Sequence, residues 1–197
     1  MKSIHLPNAL SGLVRLFYPE LCTSCDRELS GTEEVLCLQC SLQLPRTAYH
    51  HITEDKSYQN FIGRIPIIRS TSFVYFSKQG MMQHLMHRFK YKGRKEIGIY
   101  LGQLFAEELK KCDWLDTIEG IVPVPLHRAK AYKRGFNQAH VLAEGISAAS
   151  GIPVLSKAII RNKATETQTH KTRAERIENV REVFSLRQPG KVSGKHI

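Results

Sequence analysis

The sequence predicts a two-part α/β chain: a small cysteine-held module, then a larger basic domain built on an open, mainly parallel sheet. Three observations lead there. Two C-x2-C pairs stand close together near the N-terminus, at Cys22/Cys25 and Cys37/Cys40. The surplus of positive charge lies wholly on their C-terminal side, beyond residue 60. From Thr117 onward, strand-like apolar runs alternate with helix-like periodicity in the order β, loop, α, β.

A chain of 197 residues can hold one ordinary domain with a core plus a short appendage. Its net charge is +11, yet residues 1–60 carry five Lys/Arg against seven Asp/Glu, so the surplus belongs to residues 61–197. So basic a balance points to polyanionic partners such as nucleic acid, anionic lipid or phosphorylated small molecules. No apolar run approaches the length of a membrane span, and the N-terminus is a poor signal peptide. The expected compartment is the cytoplasm, where thiols stay reduced and paired cysteines read as metal ligands before disulfides.

Residues 1–18 are expected to contain a helix, amphipathic over 9–17, that packs on the body or touches a membrane surface. Residues 19–45 form the cysteine module, too small to bury a core of its own. Residues 46–116 connect it to the last part: 61–76 read as one or two strands, and two helices follow through Met82–Phe89 and Ile97–Leu109. Residues 117–197 then run through a strand (IEGIVPVP), a basic loop (HRAKAYKRGF), a helix over Asn137–Ala149, a strand (PVLSKAII), a long polar stretch over Arg161–Glu182, and FSL before the terminal GKHI.

Two C-x2-C pairs present four sulfurs to one tetrahedral ion, and zinc is the metal that such a set suits. Eleven residues separate the pairs, enough for a knuckle, a short hairpin and a second knuckle. A metal site supplies about 10–16 kcal/mol of folding free energy in isolated zinc peptides, which a coreless segment requires. Four protein ligands leave no open position, so the zinc is structural. The alternatives are unrelated cysteines or a redox pair. Cys112 stands apart and reads as a small buried apolar residue, and His50 and His51 are alternative ligands.

In the second half, Arg128, Lys130, Lys133 and Arg134 gather before Gly135 at the start of a helix. Cations, a glycine that lets backbone N–H groups approach and a helix N-terminus together make an oxyanion site; a solvated basic loop is the alternative. Arg88, Lys90, Lys92 and Arg94 with Tyr91 interleaved suit single-stranded nucleic acid, where aromatics stack on bases and cations meet phosphates. Phe89, beside them, falls on the apolar helix face.

From about residue 15 to the end, the chain resembles the ComF-type (competence protein F) family, which joins a four-cysteine zinc module to a type I phosphoribosyltransferase domain. The resemblance rests on the cysteine pairs, on HRFKYKG (His87–Gly93), on VPVPLHRAKAYKRGFNQA, and on Thr165, Gln168, Arg173, Arg176, Asn179, Val180 and Phe184 in their order. It implies pyrophosphate binding at Arg128, Lys133, Arg134 and Gly135. It also implies a catalytic hood loop with Arg161, Thr165, Gln168, Arg173 and Arg176. The substrate would be phosphoribosyl pyrophosphate with Mg2+, and the reaction displacement of pyrophosphate at ribose C1.

Such enzymes carry an acidic pair and a Thr/Gly-rich turn after the strand that begins near GKHI, and the sequence stops at Ile197 before that loop. The chain is therefore expected to be C-terminally incomplete as a phosphoribosyltransferase fold and inactive in transfer, whether by truncation or by loss of the site. The family name carries a second expectation, a part in DNA uptake through single-stranded DNA. A third is a ligand-sensing adaptor without chemistry, since fold alone does not decide among them.

Overall fold

The computed structural model describes residues 18–52, 56–163 and 183–197, apart from the side chain of Lys133. The expected helix within residues 1–18 and most of the Arg161–Glu182 stretch lie outside them. The chain divides into two compact units: Met1–Arg46 with Val74–Met86, and Thr47–Phe73 with His87–Ile197.

In the smaller unit, Leu21 bridges Glu28 in antiparallel fashion and Arg46 bridges Val74. A short helix α1 spans Leu38–Leu42. Contrary to expectation, residues 19–45 do bury apolar side chains: Leu29, Val35, Leu36 and Leu44 are all buried beside the cysteines. Three of these flank the second pair, where the turn that gathers the sulfurs also carries its neighbours inward.

The larger unit holds most of the helices. After the single turn α2 (Lys56–Gln59), α3 spans Met81–Tyr91, its first half counted with the smaller unit. Next come α4 (Lys95–Leu109), α5 (Arg128–Arg134) and α6 (Gln138–Ser150). The periodic runs through Met82–Phe89 and Ile97–Leu109 are helical as predicted, and Phe89, Ile97, Leu101, Ala106 and Leu109 are buried.

HRAKAYKRGF is a helix rather than a loop. Ala, Lys and Arg are good helix formers, His127 caps the start by accepting from the Ala129 amide (3.3 Å), and Gly135 ends it at φ 78°, a left-handed conformation that glycine adopts without steric cost. The predicted strands at 61–76 reduce to the single bridge at Val74. Gly63 and Pro66 interrupt that run, which is rich in β-formers but lacks a partner edge.

The described residues form one two-stranded antiparallel sheet, β1 (Ile159–Arg161) with β2 (Phe184–Leu186). Among the described residues, parallel pairing is confined to a bridge between Ile121 and Val154, with Ile121 N–H donating to Pro153 O (2.9 Å) and Leu155 N–H to Ile121 O (2.8 Å). On the other side of this segment, Glu119 N–H donates to His196 O (2.8 Å). Pro123, Pro125 and Pro153 lack the N–H groups that would prolong a ladder, which limits the extended segments to these few bonds.

Helices α4 and α6 pack against each other at backbone range. A Cβ on Gly102 would lie 2.3 Å from Leu142 O, and one on Gly145 would lie 2.2 Å from Ile99 O. No side chain can be accommodated in that gap. Gly145→Ala is therefore expected to cost about 1–3 kcal/mol, the range for overpacking a tight interior, read as a lower midpoint in urea denaturation; an unchanged midpoint would show that the helices separate freely.

Candidate functional site

The first cysteine pair sits on a tight turn. Cys22 N–H donates to Arg27 O (2.7 Å) and Asp26 N–H returns to Cys22 O (2.9 Å), with Asp26 at φ 57°. The second pair opens α1, with Cys37 at its N-cap and Cys40 within it. Thr23 N–H to Val35 O (2.9 Å) ties the two turns. Glu33, which sequence reasoning passed over, clamps the connection: its carboxylate accepts from Ser30 N–H (2.8 Å) and from Leu38 N–H (2.5 Å) at the start of α1. Those two amides hold its carboxyl below the usual range.

One sulfur from each of Cys22, Cys25, Cys37 and Cys40 lies within 4.8 Å of all the others. Cys25 and Cys37 are 3.8 Å apart, which matches the edge of a tetrahedron with about 2.3 Å from metal to sulfur, roughly 3.8 Å. The donor set is compatible with a structural zinc ion.

The polar surroundings favour the thiolate at Cys22 and Cys37. Burial raises the Cys22 thiol, but N–H groups of Cys37, Cys25 and Ser24 outweigh it and the net direction is down; the Cys37 amide lies 3.3 Å from that sulfur. Burial likewise opposes Cys37, yet the Cys40 amide and the Arg27 guanidinium bring it down to about 6. Cys40 goes the other way, pushed up to about 12 by burial and by the neighbouring sulfurs of Cys25 and Cys37. Without a cation the four cannot all ionise side by side; a dication removes that conflict.

The basic residues belong to the larger unit and fall on two elements that meet. Arg88, Lys90 and Tyr91 end α3, Lys92 follows, and Arg94 precedes α4, where it pairs with Glu96. Arg128 opens α5 and is exposed, and Arg134 closes it. The Arg134 guanidinium lies over the Tyr91 ring at 5.9 Å and its Nη1 donates to Gln138 Oε1 (3.0 Å). Beneath them Phe89 and Phe136 pack with centroids 5.4 Å apart, so Phe89 is core, while Tyr91 is 65% exposed and Tyr132 is 93% exposed.

The start of α6 is closed locally. Asn137 Oδ1 accepts from Ala139 N–H (3.1 Å), and its Nδ2 donates to Val124 O (3.0 Å), fastening the end of IVPVP to the helix. Arg161 ends β1 with its guanidinium 5.6 Å from the Phe184 ring centroid. Thr165, Gln168, Arg173 and Arg176 lie outside the described residues, as does the side chain of Lys133.

The comparisons agree with the constellation of motifs. Competence protein F of Haemophilus influenzae is 28% identical over 182 residues, covering 86% of this chain and 78% of that protein. DNA utilization protein YhgH of Escherichia coli is 29% identical over 180 residues, 90% of this chain and 74% of its own. Competence protein ComFC of Bacillus subtilis is 28% identical over 158 residues, 80% and 62% respectively. Over most of its length the chain is similar to these competence and DNA utilization proteins, which supports the ComF-type resemblance. No family model matches the chain, and no solved structure matches it significantly. Among the described residues no helix is long and apolar enough to cross a membrane.

Arg27 yields a test of the cluster. Its guanidinium favours the Cys37 thiolate, so ionisation there is lost as pH falls through about 6, and protons then compete with metal. Arg27→Gln raises that thiol and is expected to release zinc at a higher pH than the parent, followed with a chromophoric chelator during acidification. Identical release curves would detach Arg27 from the cluster's electrostatics.

Proposed function

We propose that this ComF-type chain handles DNA through a basic, aromatic-bearing face formed by the end of α3 and by α5, with a zinc-held module as a separate structural element. One observation carries the reading: Arg134 lies over the exposed Tyr91 ring, joining two stretches that are 43 positions apart in sequence. In sequence the two partners are flanked by Arg88, Lys90, Lys92, Arg128 and Lys130. Cations at the edge of an exposed ring fit a strand whose phosphates and bases alternate. The names of the relatives, competence protein and DNA utilization protein, point the same way.

Cys22, Cys25, Cys37 and Cys40 would hold the zinc. The ion would supply a tetrahedral cross-link, and four thiolates would leave it no position for a substrate. A reducing cytoplasm, where those thiols stay free, belongs to this reading.

A second reading, phosphoribosyl pyrophosphate binding with Mg2+, is favoured by a different observation. The Ile121–Val154 bridge is parallel and α6 lies between its two strands in sequence, so Arg128–Gly135 follows the carboxyl end of the first strand, where ligands bind in α/β folds. The capped start of α6 speaks less for it, since Asn137 already meets one amide there.

The DNA reading is tested by fluorescence anisotropy with a labelled oligothymidylate across a salt series. The expected result is a steep fall of affinity with salt, a slope shallower by about one on Arg134→Ala, and a loss of about 1–3 kcal/mol on Tyr91→Ala. Weak binding that ignores salt would overturn it. Calorimetric binding of phosphoribosyl pyrophosphate with Mg2+, abolished by Arg128→Ala, would favour the second reading instead.

A further inference from the structure

The larger unit contains a second cluster of ligating side chains, independent of the four cysteines. His50 lies in a single 3-10 turn, Tyr49–His51, just after Thr47, whose N–H donates to Phe73 O (3.0 Å). Cys112 follows the end of α4, its amide bonded to Leu109 O (2.9 Å). The fold brings them together across 62 positions: the Cys112 thiol donates to the His50 carbonyl (3.3 Å), and Trp114 Nε1 donates to the same oxygen (3.4 Å).

The His50 ring is the anomaly. The residue is 5% exposed, and neither Nδ1 nor Nε2 has a hydrogen-bond partner among the described residues. A buried imidazole always carries at least one N–H and, when neutral, one lone pair. Leaving both unmet costs more than a well-packed apolar residue would. The His51 ring lies against it, centroids 4.1 Å apart and planes 48° from parallel, and His51 itself is exposed and able to turn. Ligand atoms of His50, His51 and Cys112 all lie within 4.8 Å of one another. The Glu108 carboxylate, on the last turn of α4, stands 3.6 Å from His50 Nε2, just outside hydrogen-bond reach, and Lys111 Nζ lies 2.7 Å from the same oxygen.

We propose that His50, His51 and Cys112 form a second metal site, suited to a borderline divalent ion of the zinc and cobalt class. Two imidazoles and one thiolate are the donors such ions favour. A slight rotation brings His50 Nε2–H onto Glu108, the carboxylate–histidine arrangement that fixes the tautomer of a metal ligand. Nδ1 is then the atom left to bind. Binding breaks the Cys112 S–H bond and forms a metal–sulfur bond, and the proton passes to solvent. The His50 carbonyl does not lose its only donor in that step, because Trp114 Nε1 remains. Three protein donors leave the fourth position to water, which sets this site apart from a closed four-cysteine shell.

The test counts zinc per chain by elemental analysis on the intact protein, after loading and removal of free metal. The expected count is two for the parent and one for both Cys112→Ser and His51→Asn. Circular dichroism confirms the fold of each variant; His51, being exposed, decides should Cys112→Ser fail to fold. A count of two, or of one, that survives both substitutions overturns the proposal, as does a parent that binds none. If the parent binds one ion and Cys112→Ser or His51→Asn loses it, the second site stands and the four-cysteine reading falls, so the two are separable. Titration with Co2+ gives an independent view: two saturating steps in the parent and one in each variant are expected, and equal steps throughout would sink the site.

Discussion

Helices α4 and α6 approach until backbone meets backbone, and the larger unit takes its arrangement from that approach. Gly102 and Gly145 each face a carbonyl of the opposite helix with no room for a Cβ. A third glycine in α4, Gly98, lets the Phe89 ring sit directly on the helix. With Phe89 sunk there and Phe136 packed beside it, the chain just before α6 is pinned to the end of α3. That is why Tyr91 and Arg134 meet. Their meeting is thus a by-product of small residues in the core.

The smaller unit answers to a different constraint. Beside the backbone bonds that close its turns, the amides of Ser30, Cys37 and Leu38 are spent on sulfur and on the Glu33 carboxylate rather than on a sheet. Such an arrangement is costly to hold without a cation at its centre, because thiolates that lie side by side resist ionising together. The opposed directions of Cys37 and Cys40 express that conflict.

Legibility in the sequence tracks the range of the interaction. The cysteine pairs are readable because a C-x2-C turn is local, and the helices through Phe89 and Leu109 because their apolar faces repeat every three to four residues. Helix α5 escapes such reading because its cap is His127 rather than Ser, Thr, Asp or Asn, and because a run of cations looks like loop. Of the expected parallel sheet the described residues form one bridge: apolar runs in IVPVP and 61–76 have strand composition, but proline positions decide which N–H groups exist to pair. Nothing local could join His50 to Cys112, whose meeting depends on the full course of α4. Glu33 could have been found, since a carboxylate between two knuckles near a helix start is a capping pattern.

Trp114 is the single tryptophan of the chain, and its indole N–H is held by the His50 carbonyl rather than by solvent. Red-edge excitation therefore selects one chromophore, which shares the His50 carbonyl with the Cys112 thiol. A thiol at contact distance is an efficient quencher of indole emission. The natural fluorescence of this protein accordingly serves as a local optical gauge of the turn at Tyr49–His51 and of the end of α4, with no label required.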